Sequence, residues 1–262
     1  MREGRRRKAV AFSFPASGLG CNESRMSDTV LLDNVRHAAL RLLTGHGAAF
    51  GDAINQAPLF VTEFAEAQRH YPILFRKEEP GALQPIAILG FDRDENLFLS
   101  GARWDGYVPA IVRRGPFLLR RGDGDDPLVA LDLAHPRVRD GGNEGAPLFL
   151  EHGGHAPALE AALAALQQVH LGTQAAASTQ ALFEALDLVE PVALQAQISD
   201  TQAVNFEGFL AVTEERIAAL RGAQLEELNR AALLAPAMHA ASSLGNMAHL
   251  IARKRRRDRG PA

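Results

Sequence analysis

The sequence predicts an α+β protein, with a mostly antiparallel sheet in the N-terminal and central part followed by a helical C-terminal part. Two patterns support this fold class. Residues 73–150 contain short apolar runs separated by Gly, Pro, Asp and Asn, which is typical of strands joined by turns. Residues 156–252 instead repeat their apolar side chains at helical spacing. We therefore expect a β-rich part at 58–150 and a mainly helical part at 156–252.

The β-rich part begins with a short helix and continues as strands. Thr62 can cap a helix that runs to residue 69, and Pro72 ends it. Seven apolar runs then predict strands at 73–75, 86–91, 97–99, 108–112, 117–119, 128–133 and 148–150.

Four helices are predicted after Gly153 and Gly154. The first covers 156–169, and the second begins at Ser178 or Thr179 and ends before Pro191. Residues 192–198 alternate apolar and polar side chains, which predicts one returning strand or an extended link. The third helix covers 214–234, the fourth begins at Pro236, and we expect these two to form a helical hairpin.

The charge is unevenly distributed along the chain. Twelve of the 28 Lys and Arg residues lie in segments 1–25 and 253–259, which leaves 16 against 28 Asp and Glu in residues 26–252. A body so acidic is a poor match for a phosphate backbone, so we expect no nucleic-acid partner. The basic tail at 253–262 is expected to be solvated beyond a helix end; a basic patch for nucleic acid or an anionic membrane is the alternative.

The N-terminal segment 1–25 fits no targeting pattern well. We interpret it as a disordered leader or upstream extension, with Met26 as the true start and a targeting segment as the alternative. No apolar run reaches the ~18 residues of a transmembrane helix. Cys21 is the only cysteine, which suits a reducing compartment. The sequence thus predicts a soluble, cytoplasmic protein.

The best candidate binding site lies in the central aromatic and basic stretch. A guanidinium recognises carboxylate or phosphate through paired hydrogen bonds, and flat rings can stack beside it. If residues 108–112 form a strand, its two following arginines point to opposite faces. The alternative is that the Trp and Phe belong to the core and the arginines pair with acids such as Asp105. The predicted ligand-binding residues are Trp104, Tyr107, Arg113, Arg114 and Phe117.

Other residue clusters carry weaker signals, and we predict neither a metal nor a cofactor. His152 and His155 flank two glycines, but a metal would need a third ligand, for which His135 is nearest in sequence. The acids between 92 and 96 lack the glycine and final glutamate of a calcium loop, so a hairpin turn explains them better. Asp123, Asp125 and Asp126 have the same explanation.

The order of several short motifs resembles the SapC family of bacterial proteins over roughly residues 28–252. The N-terminal signature consists of Pro58, Glu63-Phe64, Tyr71-Pro72-Ile73, Phe75, Leu89-Gly90 and Glu95-Asn96-Leu97-Phe98. The central signature consists of Trp104, Tyr107-Val108-Pro109, Arg113-Arg114 and Pro116-Phe117, followed by Asp132, Leu148-Phe149, Ser243-Leu244 and Leu250. The resemblance implies a link to surface-layer proteins and their export. It also implies, for many members, neighbours similar to flavin-dependent halogenases and outer-membrane uptake receptors.

Three functions remain compatible with the sequence. The first is a non-catalytic accessory or binding protein of such systems that holds a peptide, glycan or partner protein. The second is a peptide- or sugar-modifying enzyme of unknown reaction that works with a halogenase-like neighbour, with Glu63, Asp132 and His152 as its raw material. The third is a purely structural partner in an export assembly.

Overall fold

The structure, a computed structural model, describes residues 8–11, 29–121, 127–199 and 202–259. The strands are β1 (Lys8–Ala11), β2 (Thr29–Leu31), β3 (Leu40–Leu42), β4 (Gln56–Pro58), β5 (Ile73–Glu78), β6 (Ala82–Ile88), β7 (Leu99–Ser100), β8 (Arg103–Trp104), β9 (Phe117–Arg120), β10 (Leu128–Asp132), β11 (Val138–Asp140), β12 (Ala146–Pro147), β13 (Val189–Pro191), β14 (Leu194–Gln197), β15 (Gln202–Phe206) and β16 (Phe209–Val212). The helices are α1 (Phe64–Ala67), α2 (Ala110–Arg113), α3 (Pro157–Ala185), α4 (Glu214–Ala219), α5 (Gly222–Arg230), α6 (Leu234–Ser243) and α7 (Asn246–Arg259). Two 3-10 turns cover Ala48–Phe50 and Val61–Glu63.

These elements confirm the α+β fold class, with many antiparallel strands and a helical C-terminal part. The chain divides into two units: residues 1–16, 54–98 and 175–262 form one, and residues 17–53 and 99–174 form the other. We call them the first and the second unit. No helix in the described ranges is both long and apolar enough to cross a membrane.

The first unit is built on a five-stranded antiparallel sheet in the order β13-β16-β5-β6-β4. Phenylalanine and tyrosine rings fill its core; Tyr71 lies edge-on to Phe98 with ring centroids 4.6 Å apart. A second sheet, β1-β15-β14, combines one parallel and one antiparallel pairing. Helix α6 is fixed to the larger sheet because the buried Ser243 hydroxyl accepts a hydrogen bond of 2.9 Å from the Ile73 amide.

The second unit contains three small antiparallel sheets, β2-β10-β9, β11-β3-β12 and β7-β8. The N-terminal part of α3 packs three apolar side chains, about one helical turn apart, against the first two of these sheets. The core cluster that results comprises Leu40, Leu42, Phe117, Leu131, Leu148, Phe149, Leu159, Ala162 and Leu166. Burial of these side chains is the main force that holds the unit together.

The largest local error of the sequence analysis concerns residues 108–112, because α2 replaces the predicted strand. Pro109 precedes the helix with a φ of −54°, a value that suits a helix start. Gly115, with a φ of 54°, then turns the chain into β9. The apolar run has the composition of a strand, but the flanking proline and glycine limit it to one helical turn.

The helix boundaries in the C-terminal part also differ from the predicted ones. Ser178 caps no second helix; its hydroxyl donates back to the Ala175 carbonyl, so 157–185 is one continuous α3. The alanine-rich segment between the two predicted helices has high helix propensity. Conversely, the helix predicted at 214–234 is broken at Leu220, whose ψ of 146° is extended. The predicted strand at 192–198 exists as β14, whereas β13, β15 and β16 were not predicted.

Candidate functional site

The structure places the five predicted ligand-binding residues in the second unit, but in three different environments. Phe117 is fully buried in the core cluster. Arg114 is half-buried, and its Nη1 donates to the Phe117 carbonyl at 2.7 Å. These two side chains therefore help to fix the turn between α2 and β9.

Trp104 belongs to a second environment. The residue is only 8% exposed, and its ring lies edge-on to His46 with centroids 5.6 Å apart. The tryptophan face is thus largely used by contacts within the protein. A flat ligand cannot stack on it without displacing a neighbour.

Arg113 and Tyr107 form the third environment and are the accessible members of the set. The Arg113 guanidinium carbon lies 5.2 Å from the centroid of the Tyr107 ring. Its Nε donates to the Val108 carbonyl at 2.9 Å, and its Nη2 donates to the Tyr107 hydroxyl at 3.1 Å and to the Gln168 amide oxygen at 2.5 Å. Arg113 is nevertheless exposed. These contacts orient the guanidinium without covering it.

Helix α2 explains why the two arginines differ. They would point to opposite faces if residues 108–112 formed a strand, but that premise is wrong because residues 110–113 are helical. Adjacent residues of a helix are about 100° apart around its axis. Arg113 therefore turns toward solvent and α3, while Arg114 turns back toward β9.

Gln168 is a member of this site that the sequence analysis missed. It lies on α3, 55 residues after Arg113, and it is half-buried. A glutamine on a long alanine-rich helix carries no local signal for binding. Only the packing of α3 beside α2 makes it part of the site.

A buried polar cluster around Asp52 was also missed. Asp52 is 3% exposed as a whole residue, and its Oδ2 lies 2.7 Å from Nη2 of Arg137, a residue that is 6% exposed. The same oxygen accepts a bond from the Gly47 amide at 2.9 Å and lies 3.1 Å from His46 Nδ1. Arg137 further donates to the carbonyls of Leu43 and Gly45, so this cluster fixes the whole 43–52 loop.

Two pKa shifts follow from this arrangement. Burial opposes ionisation of Asp52, but hydrogen bonds from His46 and Gly47 and the charge of Arg137 outweigh it and hold its pKa below the usual value. Asp52 is therefore a carboxylate near neutral pH. Burial is the main cause that lowers the pKa of His135, helped by the charges of Arg137 and Arg114. His135 is accordingly neutral there, and its Nδ1 accepts a bond from the Arg137 amide.

The three residues that an enzyme could have used, Glu63, Asp132 and His152, have local structural roles. The buried Glu63 carboxylate accepts a hydrogen bond from the Phe60 amide, and Asp132 accepts one from Ala134. His152 is exposed beside Gly153 and Gly154, whose φ values of 86° and 85° build a tight turn. None of these contacts requires a reaction to explain it.

The candidate metal ligands find no shared site. Within the described ranges, no group of three or more His, Cys, Asp and Glu side chains could hold a metal ion. The tight turn at Gly153 and Gly154 presents His152 and His155 on the surface, and both are exposed. Cys21, Asp123, Asp125 and Asp126 lie outside the described residues.

The acidic turn at 92–96 has a structural role in the first unit. The Leu97 amide donates to the Leu89 carbonyl, and the Glu95 carboxylate accepts bonds from the amides of Phe91 and Asp92. A Cβ at Gly90 would collide with the Glu95 carbonyl oxygen, so only glycine fits there. Two family-like motifs, Leu89-Gly90 and Glu95-Asn96-Leu97-Phe98, thus close one loop.

The basic run that follows Ile251 contacts this same loop. Lys254 is 6% exposed, and its Nζ lies 2.6 Å from Asp92, 2.9 Å from Glu95 and 3.3 Å from Asp258. Arg253 lies over the Phe98 ring at 4.4 Å, and Arg257 donates to the Asn96 carbonyl at 3.0 Å. The expectation of a solvated overhang is therefore wrong for Lys254.

A cleft of about 360 Å³ lies beside the end of α7. Its lining consists of Ile198, Ser199, Arg255, Asp258 and Arg259. Arg255 already donates to the carbonyls of Gln197 and Ile198, and Asp258 adds a negative charge. We therefore do not favour this cleft as the ligand site.

Comparison with known proteins supports the predicted family. The family model described as SapC matches residues 32–250, which is most of the chain. No curated protein and no solved structure shows significant similarity to this chain. The match confirms the resemblance carried by the signature motifs, and this chain belongs to the SapC family.

Proposed function

We propose that this chain is a non-catalytic binding protein that holds a carboxylate group of a peptide or partner protein at Arg113. One observation carries the proposal. The Arg113 guanidinium is exposed and held in place by Tyr107 and Gln168, yet no carboxylate in the described part of the chain pairs with it. An oriented cation that lacks an internal counter-charge is suited to an external one.

The available hydrogen-bond donors favour a carboxylate. Nε and Nη2 of Arg113 are used to position the side chain, whereas Nη1 meets no acceptor among the described residues. The amide oxygen of Gln168 faces the guanidinium, which leaves the amide NH₂ as a second donor. Nη1 and this NH₂ can hold the two oxygens of one carboxylate.

A glycan is less well supported than a peptide. Sugar rings are commonly held on an open aromatic face, but Phe117 is fully buried and Trp104 is 8% exposed. Tyr107 is half-buried and carries Arg113 on its ring. The roles of Trp104, Arg114 and Phe117 in this proposal are therefore to support α2 and the preceding loop, while Tyr107 and Arg113 contact the ligand.

We further propose that the partner belongs to a surface-layer, export or outer-membrane uptake system, and that the chain acts from the cytoplasmic side. Membership of the SapC family supports the first part. The single cysteine of the sequence supports the second, because it suits a reducing compartment. Fractionation of the native host and cross-linking to Arg113-dependent partners would test both.

Paired peptide pools test the binding proposal. One pool of ten-residue peptides without Asp or Glu carries free C-terminal carboxylates, and the other carries the same sequences with C-terminal amides. We expect the protein to retain members of the acid pool, and Arg113→Ala to weaken their binding by roughly tenfold or more, the range of a charge-assisted pair. Arg113→Lys should restore only part of the affinity, since an ammonium lacks the planar fork.

Arg120→Ala is the matched control, because Arg120 is an exposed arginine on the neighbouring β9. Circular dichroism and thermal unfolding of each variant verify that it folds. Equal retention of both pools, or equal loss in the Arg113→Ala and Arg120→Ala variants, would refute a specific carboxylate site at Arg113.

A further inference from the structure

His46 and Asp52 form a pair that the binding proposal does not use. The Asp52 carboxylate is 4% exposed, whereas 20% of the His46 side chain remains exposed. Their contact joins Asp52 Oδ2 to His46 Nδ1 at 3.1 Å. A buried acid that holds one nitrogen of a partly exposed imidazole is the arrangement by which proteins orient a base.

The hydrogen bonds decide which nitrogen carries the proton. Asp52 is ionised, so its oxygen can only accept, and His46 Nδ1 must donate to it. Nη2 of Arg137 donates to Asp52 at 2.7 Å, and its contact with Nδ1 of His46 is longer, at 3.4 Å, than the 3.1 Å between Nδ1 and Asp52. The shorter contact with the carboxylate therefore sets the tautomer, and Nε2 of a neutral His46 bears a lone pair.

The surroundings hold this imidazole in place. The His46 amide donates to the Ala102 carbonyl at 3.0 Å, and Trp104 packs against the ring. Arg137 fixes the carbonyls on one side of the loop, and the Gly47 amide fixes Asp52. Because Nδ1 faces Asp52 and Arg137, we infer that the exposed fifth of the side chain includes the edge that carries Nε2.

Nε2 itself meets no hydrogen-bond partner among the residues that the structure describes. Arg137 and the Gly47 amide contact the same oxygen of Asp52 as His46 does, and this structural cluster leaves Nε2 of His46 unused. We propose that His46, oriented by Asp52, is a ligand-facing residue whose Nε2 accepts a hydrogen bond from a hydroxyl-bearing molecule. This site is separate in residues and in chemistry from the cationic site at Arg113.

His135 provides an internal control for the test. Its Nδ1 accepts from the Arg137 amide at 3.1 Å, so its proton lies on Nε2, the reverse of His46. Long-range proton–nitrogen NMR of the histidine-labelled full chain near neutral pH distinguishes the two tautomers. We expect the proton on Nδ1 in His46 and on Nε2 in His135. A proton on Nε2 of His46 would overturn the proposal.

The second measurement uses diethyl pyrocarbonate, which is attacked by an unprotonated imidazole nitrogen. The nitrogen forms a bond to the carbonyl carbon, ethyl carbonate leaves, and the imidazole gives up its other N–H proton. The ethyl carbonate takes up a proton and decomposes to carbon dioxide and ethanol. Peptide mass spectrometry after limited reaction should show His46 modified several-fold faster than His135. A rate for His46 equal to or below that of His135 would show that Nε2 of His46 is not accessible to solvent. This result would refute the proposal.

The Arg113→Ala variant separates this proposal from the binding proposal. It should leave both the tautomer and the reactivity of His46 unchanged, because Arg113 makes no contact with the Asp52 cluster. If Arg113→Ala fails to alter peptide binding while His46 behaves as expected, only the carboxylate site is refuted. A change in His46 reactivity in Arg113→Ala would refute the independence of the two sites.

Discussion

The cations of the C-terminal basic run are mostly paired within the protein, whereas the cation at Arg113 has no internal counter-charge among the described residues. Lys254 is buried among three carboxylates, and Arg253, Arg255 and Arg257 donate to carbonyl oxygens of the same unit. Arg113 is exposed, and its described partners are all neutral. The sequence shows a dense run of positive charge in the first case and one arginine pair in the second. The difference teaches that acceptors supplied by the fold, and not charge density, decide whether a cation is available to a ligand.

Arg137 is a cation whose partners all lie within the protein, and its loss should lower the stability of the fold more than any of the other substitutions. Arg137→Met leaves the buried Asp52 carboxylate without its cation, so we expect unfolding to become easier by about 3–5 kcal/mol. Urea unfolding measures this difference. Arg139→Ala, two residues further on in β11, should cost about 0.5 kcal/mol or less, because Arg139 is half-buried and its ion pair with Glu144 is loose at 3.4 Å. Equal losses in the two variants would mean that Asp52 does not depend on Arg137.

Lys254→Met is the next largest change. It leaves Glu95, which is 11% exposed, facing Asp92 without a cation, whereas Asp92 and Asp258 can recover water. We therefore expect a loss of about 2–3 kcal/mol, below the full cost of breaking a buried pair. Arg256→Ala is the control, because Arg256 is exposed and has no partner in the described part of the chain. If Lys254→Met were as stable as the unmodified protein, Lys254 would not be needed to stabilise the loop, and the basic run could serve to bind an external anion.

Arg113→Ala should separate stability from binding. The side chain is exposed, and its lost hydrogen bonds can be replaced by water, so unfolding should change by about 0.5 kcal/mol or less. Its effect should instead appear in peptide retention. A loss of stability as large as that of Lys254→Met would show that Arg113 stabilises the fold as Lys254 does. The binding proposal would then lose its basis.

The smallest expected effect is a pH dependence from His135. Because burial lowers its folded-state pKa from 6.5, the unfolded chain binds the proton more tightly. Its contribution to stability is therefore complete above pH 6.5 and declines as the pH falls through 6.5 toward the folded-state pKa. His135→Asn keeps an acceptor for the Arg137 amide and should flatten this part of the stability curve. His152→Asn, at an exposed position, should leave the curve as it is.

Sequence reasoning predicted the fold class and the family, and most strands of residues 73–132, because these depend on local patterns. It failed at residues 108–112, where Pro109 and Gly115 overrode the strand propensity, and at Ser178, where a continuous helix formed through an expected cap. It could not foresee Gln168 beside Arg113 or Asp92 beside Lys254, which are 55 and 162 residues apart in sequence. Such pairs arise from tertiary packing, and no nearby residue signals them.

The distance in sequence between Asp92 and Lys254 also has a consequence for synthesis on the ribosome. At 5–20 residues per second, Lys254 is made roughly 8–30 s after Asp92. During this time, the 89–97 loop has its negative charges but not the cation that neutralises them, and water must hydrate it. The nascent first unit therefore completes its acidic loop late, and that delay gives chaperones a window in which to hold the unfinished chain.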